Sequence, residues 1–203
     1  GRADHASHVV PSSMVRVWLP LLLFALLLTS CSSGSGSGDA PAPETAYADR
    51  YVDSVNDIIN RTTGRPARDF APGVDVADVK VVDEGDAFRF IIETTEPIPD
   101  ETEFLEYRIF LNSWAGECAY PVYERDGGWR SAGFIPGDTD EDESVCVAPT
   151  WAFPSDDVIE ITIEKVRFAS SEPISWWMDV HTWDSDPIHI DFIPNSRVAR
   201  PLN

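Results

Sequence analysis

Four side chains that could meet one ligand recur at every second position near the end of the chain: Trp177, Asp179, His181 and Trp183. In an extended strand this spacing sets all four on one face, while Trp176, Met178 and Val180 fall on the other and read as core. Rings beside a carboxylate and an imidazole suit a sugar or a peptide, which present apolar surface and polar groups together. The same residues serve equally well as packing. A second constellation lies in Gly137-Asp138-Thr139-Asp140-Glu141-Asp142-Glu143, where Asp138, Asp140 and Asp142 alternate. Hard cations such as calcium take several carboxylate and carbonyl oxygens, so this loop has the donors for one. It lacks the central glycine and closing spacing of an EF-hand, and a hydrated acidic loop accounts for it as well. Asp184 and Asp186 make a weaker set beside the Trp-rich strand.

Catalytic arrangements are poorer. Glu160 and Glu164 share a strand face, but acid/base hydrolysis also needs a cleft and unequal environments for the two carboxyls. Ser175, Asp179 and His181 supply the residue types of a nucleophilic triad without its hydrogen-bond chain. No glycine-rich phosphate loop follows a strand and opens a helix, and no zinc-ligand cluster appears. No residue is assigned a catalytic role, and the reading is of a binding protein.

Charge narrows the partners. The 203 residues carry 15 basic and 35 acidic side chains, a formal charge of -20. That balance opposes contact with a phosphate backbone, which excludes nucleic acid, and suits cations or a basic partner. Cys118 and Cys146 form an even pair once Cys31 is set aside, and in an oxidising compartment such a pair reads as a disulfide rather than as a metal or redox site.

The first residues carry an address. Arg16 precedes an apolar run from Val17 to Leu28, broken by Pro20 and followed by small residues, which is the layout of an export peptide. The run is short of the roughly 20 residues of a membrane span. Leu28-Thr29-Ser30-Cys31 resembles the lipobox of bacterial lipoproteins. That resemblance implies a diacylglycerol on the Cys31 sulfur and cleavage before it. Ser32 to Pro43, rich in Ser, Gly, Ala and Pro, reads as a flexible tether. The expected organisation is an export peptide over residues 1–30, with Met14 as an alternative start, a lipidated cysteine and linker over 31–43, and one domain over 44–203.

Within that domain, Tyr47, Tyr51, Val52, Val55, Ile58 and Ile59 fall at helical spacing, predicting an amphipathic helix over Glu44 to Arg61. Pro43 and Glu44 suit its start, and Gly64 and Pro66 its end. From Asp75 the period changes to two. Short strands are predicted around Val76 to Val81, Phe88 to Ile92, Phe104 to Leu111, Cys118 to Tyr123, Trp129 to Phe134, Glu143 to Ala148, Val158 to Val166, Ser175 to Trp183 and Ile188 to Ile193. The fold class is mainly β: an antiparallel β-sandwich, jelly-roll-like, with one N-terminal amphipathic helix.

The succession Asp75-Val76-Ala77-Asp78-Val79, Gly85-Asp86-Ala87-Phe88-Arg89-Phe90-Ile91-Ile92 and Tyr107-Arg108-Ile109-Phe110-Leu111 resembles the opening of secreted jelly-roll domains. These are related to family 9 carbohydrate-binding modules and DOMON-like domains. Val158-Ile159-Glu160-Ile161-Thr162-Ile163 and Asp191-Phe192-Ile193-Pro194 continue that rhythm. The resemblance implies carbohydrate recognition, a structural calcium ion, or a haem or sugar site, although no haem-ligating pair stands out. The expected protein is a non-catalytic binding or scaffold module, lipid-anchored at the extracytoplasmic face of the bacterial cell membrane. Its expected partner is an envelope protein. The alternative is a carbohydrate-binding module that uses exposed Trp and acidic residues, with calcium as the one cofactor considered.

Overall fold

Strictly alternating stretches build most of this fold, because period-two patterning lets each strand give one face to a core and the other to solvent. The computed structural model describes residues 46–100, 105–113, 116–124, 128–134, 146–165, 174–183, 187–196 and 198–202. The strands are β1 (Asp49–Val52), β2 (Ile59–Asn60), β3 (Arg65–Pro66), β4 (Val76–Asp83), β5 (Ala87–Thr94), β6 (Leu105–Ser113) and β7 (Gly116–Glu124). Beyond them lie β8 (Trp129–Ser131), β9 (Thr150–Ser155), β10 (Val158–Glu164), β11 (Ile174–Thr182), β12 (His189–Ile193) and β13 (Arg200–Leu202).

They form two antiparallel sheets. One is five-stranded, in the order β1-β4-β5-β10-β9, and the other eight-stranded, with the path β3-β2-β12-β11-β6-β7-β8 and β13 beside the start of β11. The two sheets face each other as a β-sandwich. Phe88, Phe90 and Ile92 of β5 and Ile159, Ile161 and Ile163 of β10 point inward from the first, and meet Tyr107, Ile109 and Leu111 of β6 and Trp176, Met178 and Val180 of β11. Trp176 is wholly buried and sets its ring edge-on to Phe90, with centroids 5.5 Å apart. Its Nε1–H donates to Asp49 Oδ2 at 2.9 Å, and Arg200 grips the same carboxylate through two nitrogens, so β1 is latched to the opposite sheet.

The predicted helix over Glu44 to Arg61 is not formed among the described residues. Residues 49–52 are β1, paired with β4 so that Tyr51 lies opposite Val79, and Ile59 and Asn60 are β2, paired with β12. Val52 and Val55, two members of the expected apolar stripe, are exposed, whereas Ile58 is fully buried. Two local features oppose a helix. Asn56 adopts a left-handed conformation (φ 62), which a right-handed helix excludes. Its backbone N–H turns aside to the Asp75 carboxylate at 2.9 Å. Residues 53–58 therefore cross from the smaller sheet to the larger, and residues 67–75 cross back.

Of the strand expected over Glu143 to Ala148, residues 143–145 lie outside the described residues; residues 146–149 run outside any strand, and β9 begins at Thr150. The disulfide forms between Cys118 and Cys146. It brings residues 146 and 147 so close to Gly133 that a Cβ there would lie 2.8 Å from the Val147 carbonyl oxygen, which only glycine avoids. Cys31, the linker, Asp138, Asp140, Asp142, Asp184, Asp186 and Trp114 lie outside the described residues.

Candidate functional site

Strand β11 holds Trp177, Asp179 and His181 on the side of the larger sheet away from the core, as the alternation requires. Its neighbour β6 places Phe110 opposite Trp177, Arg108 opposite Asp179 and Glu106 opposite His181. Cross-strand neighbours on one face are close enough to interact strongly, and here they do. The Trp177 ring stacks on Phe110, centroids 3.8 Å apart and planes 3° from parallel, and its Nε1–H donates to Glu117 at 2.9 Å. Arg108 donates to both oxygens of Asp179, at 2.7 and 2.8 Å. His181 lies between two carboxylates, Nε2 3.0 Å from Glu106 and Nδ1 3.3 Å from Asp179. Trp183, just past the strand, sets its ring edge-on to Tyr123 of β7 at 6.5 Å.

Asp179 and His181 are buried despite facing away from the core. Burial alone would raise the Asp179 carboxyl, but His181 and Arg108 outweigh it and hold its pKa below the ordinary carboxylate value. For His181 burial pulls the pKa down, while the hydrogen bonds to Asp179 and Glu106 prevail and raise it. Arg108, Asp179, His181 and Glu106 form a row of alternating basic and acidic side chains. An open depression of about 380 Å³ adjoins it, lined by Ile59, Arg61, Arg108, Asp179, Ile190 and Phe192 among others. The row's polar atoms already serve one another, which leaves Trp177 and Trp183, both partly exposed, as the surface the four residues offer.

The triad types do not converge. Ser175 and His181 stand six positions apart on one strand, a separation of about 20 Å along an extended chain. Glu160 is engaged by Arg89 at 3.0 Å on the outer face of the smaller sheet.

Two further groupings escape a strand-by-strand reading. At one open side of the sandwich the edge strands β8 and β9 bring Trp129, Trp151 and Phe153 together, with ring centroids 5.1 to 6.4 Å apart. They line a depression of about 180 Å³ with Ile98, Pro99, Asp100, Ser155 and Asp156, and Phe153 is exposed. Each ring was visible in the sequence; their meeting depends on which strands lie at the edges of opposite sheets.

Where the two crossovers pass β12, Asp53, Asp57 and Asp191 each turn one carboxylate oxygen to a common point, all three within 4.8 Å of one another. Asp53 and Asp191 are 7% and 1% exposed. Asp53 Oδ2, Asp57 Oδ1 and Asp191 Oδ1 are buried and accept no hydrogen bond among the described residues. Burial, with the neighbouring charges of Asp57 and Asp75, raises Asp53 to about 7. Burial and the charges of Asp53, Asp57 and Asp75 raise Asp191 to about 8. Asp57 is raised too, chiefly by burial. One signal was legible: in Asp191-Phe192-Ile193, Asp191 shares the inward face with Ile193, a charged residue at a core position.

No family model matches the chain, and no curated protein or solved structure matches it.

Proposed function

We propose that this chain is a lipid-anchored, extracytoplasmic, non-catalytic binding or scaffold module of the bacterial cell envelope, tethered through Cys31. Envelope protein is its partner. The observation that carries the reading is the aromatic depression between β8 and β9, where Trp129, Trp151 and Phe153 present rings to solvent beside the polar Asp100, Ser155 and Asp156. Large apolar rings kept at the surface, rimmed by polar groups, mark contact sites. The acidic balance favours a basic partner surface. Two antiparallel sheets packed as a sandwich support the jelly-roll-like architecture, and the Ser- and Gly-rich segment after Cys31 is suited to holding it away from a bilayer.

The second reading is a carbohydrate-binding module. The same three rings favour it, since a sugar offers apolar faces to aromatic planes and hydroxyls to flanking carboxylates. Trp177 and Trp183 supply a second aromatic surface on the larger sheet.

Two experiments test these readings. Fatty-acid labelling in a bacterial host should mark the wild-type chain and not Cys31→Ser, and equal labelling of both would sink the anchor. Residues 44–203, applied to purified envelope proteins and to envelope glycans, should bind a protein fraction saturably, and Trp151→Ala should weaken that binding without loss of fold. Saturable binding to glycan alone would replace the first reading with the second.

A further inference from the structure

The acidic group at the end of the sandwich is built, not merely clustered. Its three carboxylates each bring an oxygen within 4.8 Å of the other two, while other contacts hold the groups in place. Asp53 Oδ1 accepts from Ser54 N–H at 2.9 Å and from the Asn195 amide at 2.8 Å. Asp191 Oδ2 accepts from Val76 N–H at 2.9 Å, and Asp57 is also hydrogen-bonded by Asn195. Asp75, the fourth acid nearby, spends its oxygens on Asn56 N–H and the Thr95 hydroxyl, so it holds the crossover rather than facing the centre. One buried oxygen of each, Asp53 Oδ2, Asp57 Oδ1 and Asp191 Oδ1, has no donor among the described residues. Carboxylates buried in this way are costly unless a positive charge compensates them. The side-chain charges that act most strongly on Asp53 and Asp191 are other carboxylates, not a lysine or arginine.

We propose that Asp53, Asp57 and Asp191 bind a calcium ion, which fastens the N-terminal crossover of residues 53–58 to strand β12. One ion held among them compensates all three carboxylates at once. Two ligands of one calcium ion lie at most roughly 4.6 to 5.2 Å apart, twice the metal–oxygen distance, and the three oxygens lie within 4.8 Å of one another. Donors that are all hard oxygen select calcium or magnesium over the softer transition metals. A site assembled from two crossover residues and one strand residue is irregular, which calcium accepts and the octahedral demand of magnesium does not. Its consequence is mechanical: the ion ties the crossover that leaves β1 to strand β12 of the opposite sheet, beside the start of β4. The site is independent of lipidation and of the ligand at the aromatic depression.

The full chain, purified in detergent and stripped with a chelator, is titrated with calcium chloride alone while thermal unfolding is followed, and bound calcium is counted by equilibrium dialysis. A saturable rise of several degrees in Tm, not reproduced by equal magnesium, with one ion removed by Asp191→Asn, is expected. Asn can keep the bond to Val76 N–H, so this variant should fold. Asp57→Asn, at the partly exposed ligand, should weaken binding about tenfold or more. The triple variant Asp138→Asn/Asp140→Asn/Asp142→Asn should retain the ion and its Tm rise. Absence of bound calcium in the wild type would overturn the proposal. So would an Asp191→Asn chain that binds and responds as the wild type does.

Discussion

The outer row on the larger sheet and the acidic group at the sandwich end both bury carboxylates, yet they do so in opposite ways. Asp179 meets Arg108 and His181, and its pKa falls below the ordinary value. Asp191 meets Asp53, Asp57 and Asp75, and its pKa climbs to about 8. Burial is comparable, so the difference lies in the company: basic side chains surround one carboxylate, and other carboxylates surround the second. The positions singled out for their chemistry, Asp179 and His181, belong to the first kind. Those that read as ordinary loop and strand residues, Asp53, Asp57 and Asp191, belong to the second.

Substitutions can break this contrast. Asp179→Ala strands Arg108 and His181 without their shared partner, and should lower the unfolding free energy by about 3 kcal/mol or more. Urea denaturation checks this, and a loss below that of an ordinary surface substitution would mean that the row is solvated. Cys146→Ser lies outside both regions and serves as the reference. It should cost about 2 to 4 kcal/mol through the lost Cys118 bridge, while leaving calcium response and pH dependence unchanged in the same denaturation series. Asp191→Asn should act with the opposite sign in chelator, stabilising the metal-free chain by roughly 1 to 2 kcal/mol as an unsatisfied buried acceptor is removed. Destabilisation in chelator would show that the acidic group is already compensated.

The smallest effect is the dependence on pH. His181 has a raised pKa in the folded chain, so the folded state binds its proton more tightly than the unfolded state does. Its stabilisation is fully present below the unfolded value of about 6.5 and is lost as pH rises through the higher folded value. The stability difference between wild type and His181→Gln should therefore shrink as pH rises above about 6.5, in paired denaturation curves. A difference that grows over that interval would reverse the assignment of His181 as a cation held by Asp179 and Glu106.

Much of this arrangement was legible residue by residue. The alternation of Phe88, Phe90 and Ile92, of Ile159, Ile161 and Ile163, and of Trp176, Met178 and Val180 marked the inward faces, and Cys118 and Cys146 marked their own bond. The N-terminal segment was not legible in this way. Tyr51, Val52, Val55, Ile58 and Ile59 satisfy helical spacing, and only pairing of β1 with Val79 and Val81, together with the left-handed Asn56, turns the segment into two strands and a crossover. Propensity is local and yields to such tertiary pairing. Strand β9 was missed because Trp151 gains its partner, Ile161, only when β10 lies beside it.

The sequence by itself determined that the domain is mainly β, which faces of most strands turn inward, and that Trp177, Asp179 and His181 share a side. Those are consequences of a period of two along a single strand. Only the tertiary structure decided that Asp179 has basic partners and Asp191 acidic ones, and that Trp129, Trp151 and Phe153 make one surface. The charge state of a buried carboxylate depends on which distant side chains share its space, and chain spacing carries no measure of that.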